Sequence, residues 1–294
     1  MAASYTAEIL KLRKRPATWV LGIIWLAFLI LFTYALPYVL FTNLPAPEPP
    51  ADAPSEMQDE MQVQQEAALE QQIAQLYPEN LVSHVASDFS GIGAPIALIL
   101  GALAAGSEYG WGTLKMVLSQ RPGRLGAFFA KMLALATLLA LFVVLALVAS
   151  LVCSLFVAGL QGATINWPSL AGLLEALGAG GIILFVWAAL GVLLATLFRS
   201  TALAIGLGLF YALAFEGIFF SLPVPNESFQ DARRFFLGQN SGFLADSFAG
   251  GSLPQDLVSP AQSVGATQAA LALCAYLAVF ILLAALAFSQ RDVA

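Results

Sequence analysis

Charged side chains are scarce here. They make up 10% of the 294 residues, whereas hydrophobic residues make up 60%, and a soluble domain averages about 25% charged. That deficit excludes an ordinary water-soluble fold. Histidine occurs once, as His84, which excludes His-pair zinc motifs and argues against a Ser-His hydrolase. The two cysteines, Cys153 and Cys274, lie inside apolar runs. They read as small buried hydrophobes and leave no basis for a disulfide framework or a metal site. No G-x-x-x-x-G-K-[ST] loop occurs, so the chain has no P-loop ATP site and no cofactor of its own. Ion-coupled porters place carboxylates or bases near a span's midplane, and none is expected there. The net charge of −6 is concentrated in one segment and carries no implication of nucleic-acid binding.

What is present is a set of long uncharged runs. Six of them have the length of a membrane helix: about 18–41, 89–105, 125–159, 169–198, 202–222 and 266–288. The chain therefore reads as an all-α integral membrane protein with six transmembrane helices. Ahead of them, Tyr5, Ile9 and Leu12 share one face of an interfacial helix over residues 1–16, which ends in Lys11, Arg13, Lys14 and Arg15. The first apolar run is too long for a signal peptide and lacks a small-residue cleavage site, so it reads as an uncleaved anchor. Between residues 43 and 88 lie nine carboxylates, Glu48 to Asp88, and no lysine or arginine. A helix is expected there from Ser55 to Tyr77, ended by Pro78. Such an acidic run is more often a solvated face than a cation site, and His84 reads as a surface histidine. A second outer loop, 222–265, alternates aromatic and polar residues and suits short interfacial helices. With both termini inside the inner or plasma membrane, ten of the 12 basic residues fall on the cytoplasmic side, as the positive-inside bias requires.

The loop 106–124 gathers Lys115, Arg121 and Arg124, with Lys131 just beyond. Lys131 is expected in the first turns of the third span, projecting into the cytoplasm. Thr113 can cap a short helix over Leu114 to Gln120, which Arg121-Pro122-Gly123 breaks. Leu114, Val117 and Leu118 share its apolar face. An ordinary solvated loop and a helix that docks a soluble partner both fit this pattern. Gly106-Ser-Glu-Tyr-Gly-Trp-Gly-Thr-Leu-Lys115, with Ser119-Gln-Arg-Pro-Gly-Arg124 and Lys131, resembles the permease subunits of type-2 ATP-binding-cassette (ABC) exporters. The six-helix plan extends that resemblance to nearly the whole chain. It implies an N-terminal elbow helix and a coupling helix seated in a cleft of an ATPase subunit. Two six-helix halves, alike or different, would work with two ATPases that carry ATP and Mg. Glu108, Thr113, Leu114, Lys115, Val117, Leu118 and Arg121 would then transmit force. The other readings are a membrane scaffold that recruits a soluble partner and an ion-coupled porter.

Small residues recur every fourth position in two spans. Gly93, Ala97, Gly101 and Ala105 form one stripe, and Ala204, Gly208 and Ala212 lead to Glu216 on another. Such stripes let helices approach closely in lipid, and the apolar faces of these two spans are expected to line a pathway for lipophilic or amphipathic cargo. Glu216 is a functional candidate as an ionisable residue in a span. Its outer position favours a structural pairing with Arg233 or Arg234. The orientation predicts that cysteines placed at Gln64 and Gly251, in a chain freed of Cys153 and Cys274, react with an impermeant maleimide added outside. A cysteine at Gln120 should not, and outside labelling there would invert the topology.

Overall fold

A computed structural model describes residues 2–43, 54–110, 123–216, 218, 232–248 and 265–290, without the side chains of 2, 55, 56, 108–110 and 233. These residues form nine helices and no strand. Helix α1 (Ala2–Lys14) precedes α2 (Pro16–Asn43), the first candidate span. Helix α3 is Ser55–Ala74, and α4 (Pro78–Ser107) is the second span, its helical backbone continuing to Gly110. Then come α5 (Arg124–Gln161), α6 (Leu170–Phe198) and the shorter apolar α7 (Thr201–Phe215). A short α8 (Leu237–Asp246) and the long α9 (Ala266–Gln290) complete the set. Among the described residues, five helices are long and apolar enough to cross a membrane. The expected fifth span is represented by α7, whose helix continues through Glu216.

Local sequence explains where these helices begin and end. Ser169 caps α6 by accepting from the Gly172 amide at 3.0 Å. Gly162, at φ 61°, ends α5 in the left-handed conformation that glycine adopts without strain. Arg199 takes the same conformation at φ 52° to end α6. Ser200 then accepts from the Leu203 amide at 3.3 Å and starts α7, giving the expected tight turn. Two stretches of wider π-helical turn, Leu29–Ala35 in α2 and Phe89–Gly93 in α4, lie just before Pro37 and Pro95. Each proline lacks the N–H that the carbonyl four residues earlier would otherwise receive, and the helix widens there.

Helix α6 is the hub. Its contact with α4 is the most extensive in the molecule, and α5, α7 and α9 also pack on it. The crossing with α4 is backbone on backbone. A Cβ on Gly101 would stand 2.0 Å from the Ala188 carbonyl oxygen, and one on Gly191 would stand 2.1 Å from that of Leu98. Ala97 and Ala105 are buried in the same seam, and Gly93 meets Leu184 and the Trp25 ring. The second stripe joins the first where Gly208 receives the Leu98 side chain. Both stripes are thus taken up in helix packing.

One expected boundary moves. The second span begins at Pro78, not near Phe89, because a polar-looking segment is folded into it. Leu81, Val85 and Ala86 are buried, while the Ser83 and Ser87 hydroxyls donate to the Asn80 and Ser83 carbonyls. Asp88 and His84 therefore belong to a span and not to a solvated loop. Helix α3 ends before Pro78 as expected, but only its last turns dock, through Ile73 and the following Leu76. Met57 stays exposed.

Gly101→Leu should drive α4 and α6 apart and destabilise the fold by about 2 kcal/mol or more. A cavity-free Gly178, whose Cβ would meet nothing within 4 Å, supplies the control. Thermal melting in detergent should show a large drop for Gly101→Leu and none for Gly178→Leu.

Candidate functional site

The cytoplasmic end of α4, by the expected orientation, leads straight into the basic loop. Three elements grip it. From the α1–α2 junction, Arg15 donates through Nη1 to the Leu103 carbonyl at 2.8 Å and through Nη2 to the Ser107 hydroxyl. From α5, Lys131 Nζ donates to the Ala104 carbonyl at 3.1 Å. These carbonyls have a second lone pair beyond their helical bond, and cations near a helix C-terminus are favoured by its dipole. From the start of α7, Thr201 sits so close that a Cβ on Gly106 would lie 2.4 Å from its hydroxyl oxygen. Lys131 is therefore not a cation projecting into the cytoplasm. It is 6% exposed, folded back because the carbonyl end of α4 lies beside it.

Beyond this collar, Thr113, Leu114, Lys115, Val117, Leu118 and Arg121 lie outside the described residues. Glu108 is placed in the helical backbone only. The stripe residues Gly93, Ala97, Gly101 and Ala105 connect the collar to the α6 hub.

At the opposite end, Glu216 is 4% exposed. Its carboxylate accepts the Gly238 amide at 2.9 Å and the Gln239 amide at 3.0 Å. These are amides of the first turn of α8, which have no partner within their own helix. Phe236, the residue before the helix, supplies no side-chain cap. Glu216 thus caps α8 from another helix, and the Tyr211 hydroxyl, which accepts from the Leu237 amide at 3.3 Å, hydrogen-bonds the same carboxylate. Two free amides and the positive end of a helix dipole meet the charge, and the side chain of Arg233, one of the two expected partners, lies outside the described residues. Gly238 makes the approach possible, since a Cβ there would stand 2.5 Å from Glu216 Oε2.

Helix α8 is not interfacial as expected. Leu237, Asn240, Ser241, Leu244 and Ala245 are all buried, and Trp187 Nε1, beyond the midpoint of α6, donates to the Ser241 hydroxyl at 3.1 Å. The helix re-enters the bundle and packs on α9 and α4. Its apolar residues face protein in place of lipid.

A third polar contact was not foreseen. Asp88, 8% exposed, accepts from Trp25 Nε1 at 2.6 Å. Trp25 is itself 1% exposed and packs edge-on against Phe89 and Phe142. A carboxylate does lie within a span, about 28 Å of helical rise from Ser107. The signal in the sequence was Trp25, since a buried indole N–H in an apolar span requires an acceptor.

These features define a class: a multi-pass helical membrane protein with a clamped end of α4, a small-residue seam and a buried short helix at the opposite end. Residues 2–293 match the family of the ABC-2 family transporter protein, and the chain belongs to that family, as a transmembrane permease. No curated protein matches it.

The Glu216 cap predicts that Glu216→Gln weakens the outer half. Glutamine offers one acceptor oxygen in place of two and loses the charge, a loss of about 1.5–3 kcal/mol for hydrogen bonds to a charged group. Melting should fall accordingly. Equal melting of wild type and Glu216→Gln would show that the amides do not depend on the carboxylate.

Proposed function

We propose that this chain is the membrane half of an ABC exporter, paired with a second half and driven by two separate ATPase subunits that hold ATP and Mg. ABC-2 permeases generally pair with an ABC ATPase. Residues 106–124 form the coupling loop, with Leu114, Val117 and Leu118 entering the ATPase and Glu108, Thr113, Lys115 and Arg121 at its margins. Both termini are cytoplasmic, and the cargo is lipophilic or amphipathic and leaves the cell.

The observation that carries this reading is the collar on α4. The segment that leads into the loop is held by α1–α2 through Arg15, by α5 through Lys131 and by α7 through Thr201. A push on the loop therefore moves several helices together, not one. From α4 the displacement reaches α6 through the Gly101–Ala188 contact and α7 through Leu98 and Gly208. The Glu216 cap then ties α7 to α8, so motion at the inner end can be felt at the outer one.

Replacing Leu114 and Val117 with Asp places charge on the face proposed to enter the ATPase. An unpaired buried carboxylate costs several kcal/mol, so an ATPase that copurifies with wild type should be lost from the double variant. Retention of the ATPase would show that this loop is not the dock.

A further inference from the structure

Between α2, the end of α3 and the first half of α4 lies a cavity of about 450 Å³, within the range that holds a drug-sized molecule. One wall is apolar and aromatic, with Phe32, Pro37 and Phe41 from α2. The other is polar, with Gln72 and Gln75 near the end of α3 and Asp88 from α4. His84 also lines it. Its Nε2 lies 2.8 Å from the Gln75 carbonyl, and because a carbonyl only accepts, that nitrogen carries a hydrogen. Among the described residues, no lysine or arginine lines the cavity.

Asp88 is the unusual member. It is nearly buried and receives one hydrogen bond, from Trp25. Among the described residues no lysine or arginine pairs with it. A carboxylate in apolar surroundings requires a counter-charge or a full set of donors, and one indole N–H supplies neither. Aromatic rings across the cavity attract cations through their faces, and the glutamine amides offer carbonyl acceptors to an ammonium group.

We propose that this cavity binds an amphipathic organic cation, a protonated amine on an apolar body, with Asp88 as its counter-charge. The ammonium sits at the Asp88 wall and the apolar body lies along Phe32 and Phe41. The larger cavity, bounded by Tyr5, Phe129, Leu133, Phe185 and Ile281, has about 500 Å³ but no charged side chain, so it offers no such discrimination. The assignment rests on the half of the bundle remote from α1 and does not depend on the coupling loop or on an ATPase.

The test uses the full chain in phosphatidylcholine nanodiscs and tritiated dodecylamine, an ammonium at pH 7, with empty discs subtracted. Wild type should bind saturably, at about one per chain, with dodecanol a competitor at least about tenfold weaker. Asp88→Asn keeps an oxygen for Trp25 and removes the charge; it should weaken binding by about tenfold or more. Gly91→Leu fills the cavity while Asp88 stays, and a Cβ there meets nothing within 4 Å. It should abolish binding and leave the melting temperature unchanged. Absence of saturable binding to wild type, equal displacement by dodecanol, or wild-type affinity in Asp88→Asn would overturn the proposal. Should Asp88→Asn not fold, wild-type binding by a normally melting Gly91→Leu overturns it as well.

Discussion

The crossing of α4 and α6 sets the geometry of everything else. Lipid is as apolar as leucine, so helices in a bilayer gain little from hydrophobic burial and associate through close packing instead. Gly101 and Gly191 let the two backbones touch at Ala188 and Leu98. That approach brings α4 near enough for Leu98 to reach Gly208 on α7, and it leaves α6 central enough to receive α5 and α9. A side chain at either glycine would separate the pair, and the surrounding helices would lose the surface they are arranged on.

Packing of small residues fixes distance but discriminates weakly between one register and another along a stripe. The buried polar contacts supply that discrimination. An unsatisfied polar group in an apolar interior costs several kcal/mol, so each such contact has essentially one acceptable alignment. Lys131 fixes α5 against α4, Trp25 and Asp88 fix α2 against α4, and Glu216 fixes α7 against α8. Trp187 and Ser241 fix how far α8 enters. Lys131 and Glu216 act at opposite ends of the bundle, whereas Trp187 holds Ser241 right beside the glycine crossing.

The sequence showed the spans wherever their hydropathy was unbroken. The limits of α5, α6 and α9 follow the apolar runs closely, and Gly93, Gly101 and Gly208 lie where neighbouring helices approach closely. It failed where polar residues are buried. Pro78 to Asp88 reads as a loop because Ser83, His84, Ser87 and Asp88 lower its hydropathy, yet each of them has a partner in the fold. Helix α8 reads as interfacial because its polar residues seem to need water. Asn240 meets the Arg234 and Phe236 carbonyls instead, and Ser241 meets Trp187 and Leu237. Glu216 stands out in the sequence, but its cap on α8 does not, since free amides at a helix start leave no mark in composition. The loop residues 111–122, where the resemblance to the family was read first, lie outside the described residues.

The wide turn at Phe89–Gly93 has a consequence for how the chain can change over generations. A π-helical turn accommodates one residue more than the α-helix around it, so losing a residue there leaves a helix that is still continuous and still spans. Because the wide turn absorbs that residue, the parts of α4 on either side keep nearly the same faces with it or without it. Asp88 would stay against Trp25, and Gly101 would keep its place against Ala188. The two halves of α4, tied to different neighbours, thus meet at a joint that tolerates a change of length without turning either half. In an alignment of relatives, a one-residue gap near Gly91 should leave the pair at positions 25 and 88 and the glycine crossing as they are.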